Sequence, residues 1–180
     1  MDPNASKKAR VISLIDGSNL HVYLKNNALP TRLHYTKLSI ELAKRLPKEL
    51  QPWVFLRTIY VTSSPIESDN PTAFRDWQVF QDMLGRTERL ELRLGRREGP
   101  PGARREKGVD TLITTALLQG ALRDDYDIAI LISSDGDWLR TPSMLFERQP
   151  RRSSMRSTKS RNPSIWRRRV RALWTSTSSS

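Results

Sequence analysis

The segment Ile128-Ala129-Ile130-Leu131-Ile132-Ser133-Ser134-Asp135-Gly136-Asp137-Trp138 begins with five consecutive apolar residues and continues into two carboxylates. An uninterrupted apolar run of this length predicts a strand that is buried on both faces, as in a parallel sheet covered by helices. Asp135 and Asp137 then lie just past the carboxyl end of the strand, where open α/β sheets bind their ligands. The segment therefore predicts the class of the fold and the edge of the sheet that would carry a site.

A second segment near the amino terminus has the same organisation. The strand-like run 11–15 is followed at once by Asp16, Gly17, Ser18 and Asn19. Gly17 permits a tight turn, and Ser18 or Asn19 is expected to cap the helix that follows. If the two strands are neighbours, their acids meet and repel each other unless a proton or a cation joins them. A hard divalent cation such as Mg²⁺ or Mn²⁺ suits such a group of carboxylates.

Strands and helices alternate along the rest of the chain. The periodic patterns predict strands at 10–15, 53–61, 90–94 and 128–132, and helices after residue 16 and at 36–46, 74–84 and 109–122. The segment 95–108 is basic and rich in Gly and Pro, which predicts a mobile loop. Strands that alternate with helices indicate an α/β fold with a mostly parallel sheet flanked by helices.

The net charge of +12 is concentrated at the carboxyl end of the chain. Residues 1–138 contain 20 Lys and Arg against 18 Asp and Glu, whereas residues 139–180 contain 11 Lys and Arg against one Glu. The segment 139–180 shows no strand-like run and is rich in Ser, so we expect a basic, mostly disordered tail. The expected organisation is a disordered leader at 1–9, one domain at 10–138 and this tail.

The composition excludes several classes of protein. The chain contains no Cys and only two His, which excludes disulfides and thiolate zinc sites and argues against a histidine-rich metal centre. No apolar run approaches the roughly 20 residues of a membrane-spanning helix, and residues 1–15 lack the apolar core of a signal peptide. The expected location is therefore the cytoplasm, with no membrane partner. The sequence leaves the oligomeric state open, and a homo-oligomer is compatible with it.

Four carboxylates are the candidates for one site: Asp16, Asp110, Asp135 and Asp137. Asp110 stands at the start of the predicted helix 109–122, where the helix dipole favours an anion. Four acids around one or two Mg²⁺ ions could position a phosphodiester and activate a water for attack on phosphorus, and Asn19 could orient that water or a phosphate oxygen. Taken singly, each acid also has a structural explanation, as a turn residue or as an acid at a helix start.

Basic residues precede Asp110 in the predicted loop: Arg96, Arg97, Arg104, Arg105 and Lys107. The candidates for binding a nucleic acid are Arg97, Arg104, Arg105 and Lys107, because cations neutralise backbone phosphates. A solvated loop without such a role explains the same residues equally well.

Three segments resemble the acidic motifs of the NYN domain, a PIN-like nuclease group that includes the LabA-like bacterial proteins. They are Ser13-Leu14-Ile15-Asp16-Gly17-Ser18-Asn19, Glu106-Lys107-Gly108-Val109-Asp110 and the segment 126–138. The resemblance covers residues 10–138 and implies a Rossmann-like PIN fold with metal-dependent cleavage of RNA, using Mg²⁺ or Mn²⁺. It also implies that Asp16, Asp110, Asp135 and Asp137 coordinate the metal, with Asn19 beside them.

The chain departs from this resemblance at two places. Many relatives carry a further acid at the position of Ala116, so a second metal site is expected to be weaker here. Relatives also continue past the motif 135–137 with a helix and another strand, whereas residues 139–142 lead here into the tail rich in Ser and Arg. The abrupt change after Trp138 motivates the hypothesis that a frameshift replaced the original ending.

Two functions are compatible with these features. The first is a metal-dependent ribonuclease, and the alternative is a non-catalytic RNA-binding or regulatory PIN-like module, or a frameshifted inactive form. A phosphatase of the haloacid dehalogenase type is disfavoured, because Ser18 replaces the second acid of its motif. Dinucleotide binding is disfavoured, because no G-x-G-x-x-G follows the first strand.

Overall fold

The computed structural model describes residues 8–133 and 143–147 of the 180-residue chain. The strands are β1 (Ala9–Asp16), β2 (Trp53–Ser63), β3 (Leu90–Glu98), β4 (Arg105–Lys107), β5 (Ile128–Ile132) and β6 (Ser143–Glu147). The helices are α1 (Gly17–Asn26), α2 (Tyr35–Ala43), α3 (Pro71–Gly85) and α4 (Val109–Leu122), with a short 3₁₀ turn at Lys48–Leu50. Each strand and helix predicted from periodicity is therefore confirmed, with changes at the ends.

The strands form one sheet in the order β4-β3-β2-β1-β5-β6. β1 pairs in parallel with both β2 and β5, and β2 pairs in parallel with β3. β4 and β6 run antiparallel to β3 and β5, respectively, at the two edges of the described sheet. The mostly parallel α/β sheet predicted from the sequence is confirmed.

The direction in which strands are added to the sheet reverses at β1. The chain first steps outward from β1 to β2 and β3, and it then returns past β1 to form β5 on the other side. A reversal of this kind opens a crevice at the carboxyl ends of the two strands between which it occurs. The carboxyl ends of β1 and β5 are therefore where this fold is expected to bind a ligand.

Helices cover both faces of the sheet. In β1, Val11 and Ile15 pack in one apolar cluster with α1, α2 and α3, whereas Ile12 and Leu14 pack in a second cluster with α4. All five residues of β5 are buried in the same alternating way. Because both faces of these central strands are covered, their sequences are continuous apolar runs and do not alternate with polar residues.

Helix α2 approaches the sheet through small and polar side chains. Ser39 is fully buried, and its Oγ accepts hydrogen bonds from Ser13 Oγ at 2.6 Å and from Thr58 Oγ1 at 3.0 Å. Of the apolar residues whose spacing predicts the helix, Ala43 and Leu46 are buried in the core, whereas Leu38, Ile40 and Leu42 are only partly buried. The apolar period thus identifies the helix and part of its buried face, but not the serine that is hydrogen-bonded to the sheet.

The segment 95–108 is not a mobile loop, and that prediction is wrong. β3 continues to Glu98 and β4 returns antiparallel to it, so that residues 99–104 alone connect the two strands. Gly99 and Gly102 have positive φ angles of 123° and 79°, which residues with a Cβ rarely adopt. The Gly and Pro content that indicated a loop therefore belongs largely to the turn of a β-hairpin.

The prediction that residues 139–180 contain no strand is wrong at Ser143–Glu147, where β6 pairs with all five residues of β5. Antiparallel pairing needs only main-chain donors and acceptors, so an edge strand can form where the sequence signal is weak. The expected leader is also shorter, because β1 begins at Ala9. Residues 1–7 and the other residues of the tail lie outside the described residues, so their expected disorder stays a prediction.

Candidate active site

Asp16 is the last residue of β1, at the crevice between β1 and β5, and it is 1% exposed. Its Oδ1 accepts a hydrogen bond from the backbone N–H of Asn19 at 3.0 Å, and its Oδ2 accepts one from Asn19 Nδ2 at 2.7 Å. Asp16 is therefore the N-cap of α1. The prediction that Ser18 or Asn19 caps this helix is wrong, because the strand passes directly into the helix at Gly17.

The pKa of the Asp16 carboxyl is raised above its ordinary value. Burial is the largest cause, because it disfavours the charged form, and the hydrogen bonds from Asn19 oppose this effect. The negative charges of Asp110 and Glu106 raise the pKa further. The surroundings of Asp16 therefore favour the binding of a proton or a cation.

Ser133 lies beside Asp16, directly after β5. The register of β1 and β5 makes these two residues neighbours, and Ser133 Oγ donates a long hydrogen bond of 3.4 Å to Asp16 Oδ2. Asp135 and Asp137 follow Ser133 in the sequence but lie outside the described residues. Their predicted meeting with Asp16 stays a prediction.

Asp110 lies in the first turn of α4, which follows Gly108 in the left-handed conformation with a φ of 85°. Glycine suits this position, because it has no Cβ to clash with the backbone. Asp110 is exposed, and its charge contributes to the raised pKa of Asp16. The structure thus brings two of the four candidate acids to the same edge of the sheet.

Glu106 is a third acid at this edge, and it is not among the candidate site residues predicted from the sequence. Its Oε2 accepts hydrogen bonds from Ser18 Oγ at 2.7 Å, from the backbone N–H of Ser63 at 3.1 Å, and from Ser63 Oγ. These contacts join β4 to the start of α1 and to the carboxyl end of β2. The acidic motif that ends at Asp110 contains Glu106. Because the sequence predicts a loop for this segment, no strand or helix periodicity indicates where the Glu106 side chain points.

Tyr60 fills the space behind the start of α1. A Cβ at Gly17 would lie 2.6 Å from Tyr60 Oη and would overlap the ring, so only glycine fits at this position. The pKa of Tyr60 is raised strongly, chiefly by burial, then by Tyr35, and to a smaller extent by Asp16 and Glu106. Tyr60 is therefore a neutral phenol that supports the helix start next to Asp16.

The four basic candidates for nucleic-acid binding occupy different environments. Arg104 and Lys107 pair with carboxylates of the protein itself, at 3.0 Å and 2.9 Å respectively. Arg97 and Arg105 are exposed, and neither forms an ion pair within the described part of the chain. Two of the four candidates are thus already neutralised by the protein.

The donor atoms at this edge of the sheet are of the chemical type that a hard divalent cation prefers. The side chains offer carboxylate and hydroxyl oxygens, and their negative charges raise the pKa of Asp16, an effect that a cation would relieve. Among the side chains that the structure describes, no three of His, Cys, Asp or Glu are grouped closely enough to hold a metal ion. A metal centre here would need further ligands, for which Asp135 and Asp137 are the candidates from the sequence.

A three-layer α/β domain with acids gathered at the reversal of its strand order defines a class of protein that binds ligands at the carboxyl ends of its strands. The family model described as the NYN domain matches residues 10–160. The chain belongs to the NYN domain family. The match confirms the family indicated by the three motifs, and it extends beyond residue 138, where the sequence analysis ends the domain.

Membership of this family places the chain in the PIN-like nuclease superfamily and suggests RNA as the substrate. No curated protein and no solved structure matches the chain. Among the helices of the described residues, none combines the length and the apolar character needed to cross a bilayer.

Proposed function

We propose that this NYN domain is a metal-dependent endoribonuclease that hydrolyses phosphodiester bonds in RNA. The observation that best supports this function is the buried carboxylate of Asp16, which Asn19 fixes at the crevice between β1 and β5. Burial and neighbouring acids raise the pKa of this carboxylate, and it lies where such sheets bind ligands. Both properties are typical of residues in functional sites.

In this proposal Mg²⁺ or Mn²⁺ is held by Asp16 and Asp110 together with Asp135 and Asp137. Such an ion stabilises charge on a phosphoryl oxygen and lowers the pKa of a bound water. The chain itself supplies the orientation, because Asn19 holds both oxygens of the Asp16 carboxylate. Asn19 therefore positions a metal ligand, in addition to the contact with water or phosphate expected from the sequence.

RNA is the proposed partner, and the cytoplasm is the proposed location. The exposed Arg97 supplies positive charge that no carboxylate of the described residues neutralises. Positive charge near a site lowers the free energy of binding to phosphates, and salt weakens this contribution. Formation of a homo-oligomer stays a prediction.

Cleavage of a fluorescent single-stranded RNA with Mg²⁺ or Mn²⁺ tests the proposal. We expect cleavage that a chelator stops and that Asp16→Asn or Asp135→Asn each reduces by roughly 100-fold or more, the loss typical of one essential electrostatic group. Glu41→Gln is the matched control, because Glu41 lies exposed on α2 and pairs with Lys44. Cleavage that persists in both Asp variants, or in the presence of chelator, would exclude this function.

One observation favours the alternative of a non-catalytic RNA-binding module. Ala116 occupies the position at which many relatives carry a further acid, and it is buried in the apolar cluster under α4, where it offers no ligand. Salt-sensitive RNA binding without cleavage under any metal condition would support this alternative. A frameshifted inactive form stays a hypothesis, which resequencing the coding region and translating its other frames would check.

A further inference from the structure

The hairpin of β3 and β4 has two faces with different charges. Residues directly opposite each other in an antiparallel pair share a face, and successive residues alternate between faces. The register pairs Arg97 with Glu106, and it pairs Arg96 with Lys107 and Glu98 with Arg105 on the other face. We call the face with Arg97 and Glu106 the site face, and the opposite face the outer face.

The site face is continuous with the side of the sheet that carries α4. Gly95 and Arg97 are two residues apart in β3 and therefore point to the same face of the sheet. A Cβ at Gly95 would lie 3.1 Å from Val109 Cγ2 at the start of α4. Asp16 alternates along β1 in step with Ile12 and Leu14, so it points to the face that packs against α4. Arg97, Glu106 and Asp16 therefore lie on the same side of the sheet, at the edge where β1 and β2 end.

The charge of Arg97 is not neutralised by the residue opposite it. The Oε2 of Glu106 is turned towards Ser18 and Ser63, and no ion pair joins Glu106 to Arg97. On the outer face, by contrast, Glu98 pairs with both Arg96 and Lys107. Within the described residues, the site face thus presents an exposed guanidinium beside a group of acids that would bind a phosphodiester through a cation.

We propose that Arg97 contacts a backbone phosphate of the RNA and so positions the strand at the site, whereas Arg105, on the outer face of the same hairpin, does not. This inference rests on the proposed function. It adds the path of the RNA strand, which runs over the site face of the hairpin. The guanidinium suits this role because it offers several donors to the oxygens of a phosphate.

Binding of a fluorescein-labelled single-stranded RNA of mixed sequence, measured by anisotropy in chelator at several salt concentrations, tests the inference. One lost phosphate contact on a single strand reduces the slope of log K against log salt by about 0.7. We expect this reduction for Arg97→Ala, with weaker binding at low salt, and the wild-type slope for Arg105→Ala and Arg97→Lys. All variants keep the same tail, so their differences report the hairpin alone.

Cleavage kinetics with Mn²⁺ supply a second readout. Loss of a contact made equally in the bound substrate and in the transition state raises KM and leaves kcat unchanged, and we expect this pattern for Arg97→Ala only. Equal slopes and equal KM values for Arg97→Ala and Arg105→Ala would overturn the inference while leaving the nuclease proposal intact. A wild-type chain that binds no RNA in chelator and cleaves none with Mn²⁺ would overturn both. Binding without cleavage would remove the nuclease activity but keep the role of Arg97, provided that Arg97→Ala alone reduces the salt slope.

Discussion

At the scale of single residues, Asp16 is placed at a cost to the stability of the fold. Its pKa is raised chiefly by burial, against the hydrogen bonds of Asn19, and further by Asp110 and Glu106. Between the pKa of the unfolded chain and the higher pKa of the folded one, the native state binds more protons. The free energy of unfolding therefore falls as the pH rises through this interval, and it stays lower above the interval while no cation is bound.

Asp16→Asn is accordingly expected to stabilise the metal-free protein. At neutral pH the variant should unfold at a higher temperature than the wild type, and this difference should vanish below about pH 3.9, the pKa of an unfolded aspartate. Asparagine is also a good N-cap, so the start of α1 is kept. Thermal unfolding followed by circular dichroism, from about pH 3, below the pKa of an unfolded aspartate, to about pH 8, well above it, measures this.

Mn²⁺ provides the control for that experiment. A ligand that binds the native state raises the unfolding temperature, so Mn²⁺ should stabilise the wild type and leave Asp16→Asn unchanged. If Asp16→Asn is less stable than the wild type at neutral pH without a metal, the Asp16 carboxylate stabilises the native state and this prediction is wrong.

Gly17→Ala is expected to destabilise the protein by about 1–3 kcal/mol, the usual cost of overpacking a filled site. The reason is steric, because the new Cβ would overlap the ring of the buried Tyr60. Gly85→Ala at the end of α3 is the matched control, since a Cβ there meets no atom within 4 Å. Urea unfolding of both variants measures the difference, and equal midpoints would show that Tyr60 moves aside without cost.

At the same scale, the sequence predicts those site residues that follow a strong pattern. Asp16 follows an apolar strand and Asp110 opens a periodic helix, so general rules locate both. Glu106 escapes prediction because its place depends on contacts with Ser18 and Ser63, which are 88 and 43 residues away in the sequence. Such distant contacts leave no local pattern in the sequence.

At the scale of elements, the β3–β4 hairpin is held to the domain by Glu106. Glu106→Ala would leave the partly buried donors of Ser18 and Ser63 without this acceptor, which typically costs about 1–3 kcal/mol. We expect faster amide exchange at β4 and a lower midpoint in urea. Glu98→Ala is the control on the outer face, where exposed ion pairs contribute little, so its midpoint should equal that of the wild type.

The same hairpin shows why composition misleads about this element. Only three residue pairs join β3 and β4, and none of them is apolar, so the strands carry no hydrophobic alternation. The partly buried contacts of Glu106 with Ser18 and Ser63 take the place of apolar packing. If Glu106→Ala leaves the exchange rates of β4 unchanged, the backbone pairing of β3 with β4 holds the hairpin in place without Glu106.

At the scale of the whole molecule, β6 covers the edge that β5 would otherwise expose. A chain ending at residue 142 should unfold at a lower temperature than one ending at residue 147, and it should aggregate more as its concentration rises, because an unpaired strand edge recruits other chains. Thermal unfolding and light scattering of the two chains measure this. Identical behaviour would mean that β6 adds no stability to the sheet.

The overall architecture follows from the sequence because the central strands are buried on both faces and the helices are periodic. The parallel order of the strands could be expected from their alternation with helices. β6 could not, because an edge strand is specified by the backbone of its neighbour more than by its own side chains. The packing of α2 on the sheet through Ser39 could not be predicted either, because a serine in a helix usually indicates a polar, exposed surface.

The reversal of strand order at β1 also determines when the site can exist during synthesis of the chain. Asp16 and Ser133 are 117 residues apart in the sequence although they touch in the folded protein. At 5–20 residues per second, a ribosome needs roughly 6–23 s to make the second partner after the first. Until β5 is made, β1 can pair with β2 on one side only, so a nascent chain carries the carboxylate of Asp16 at an unpaired strand edge.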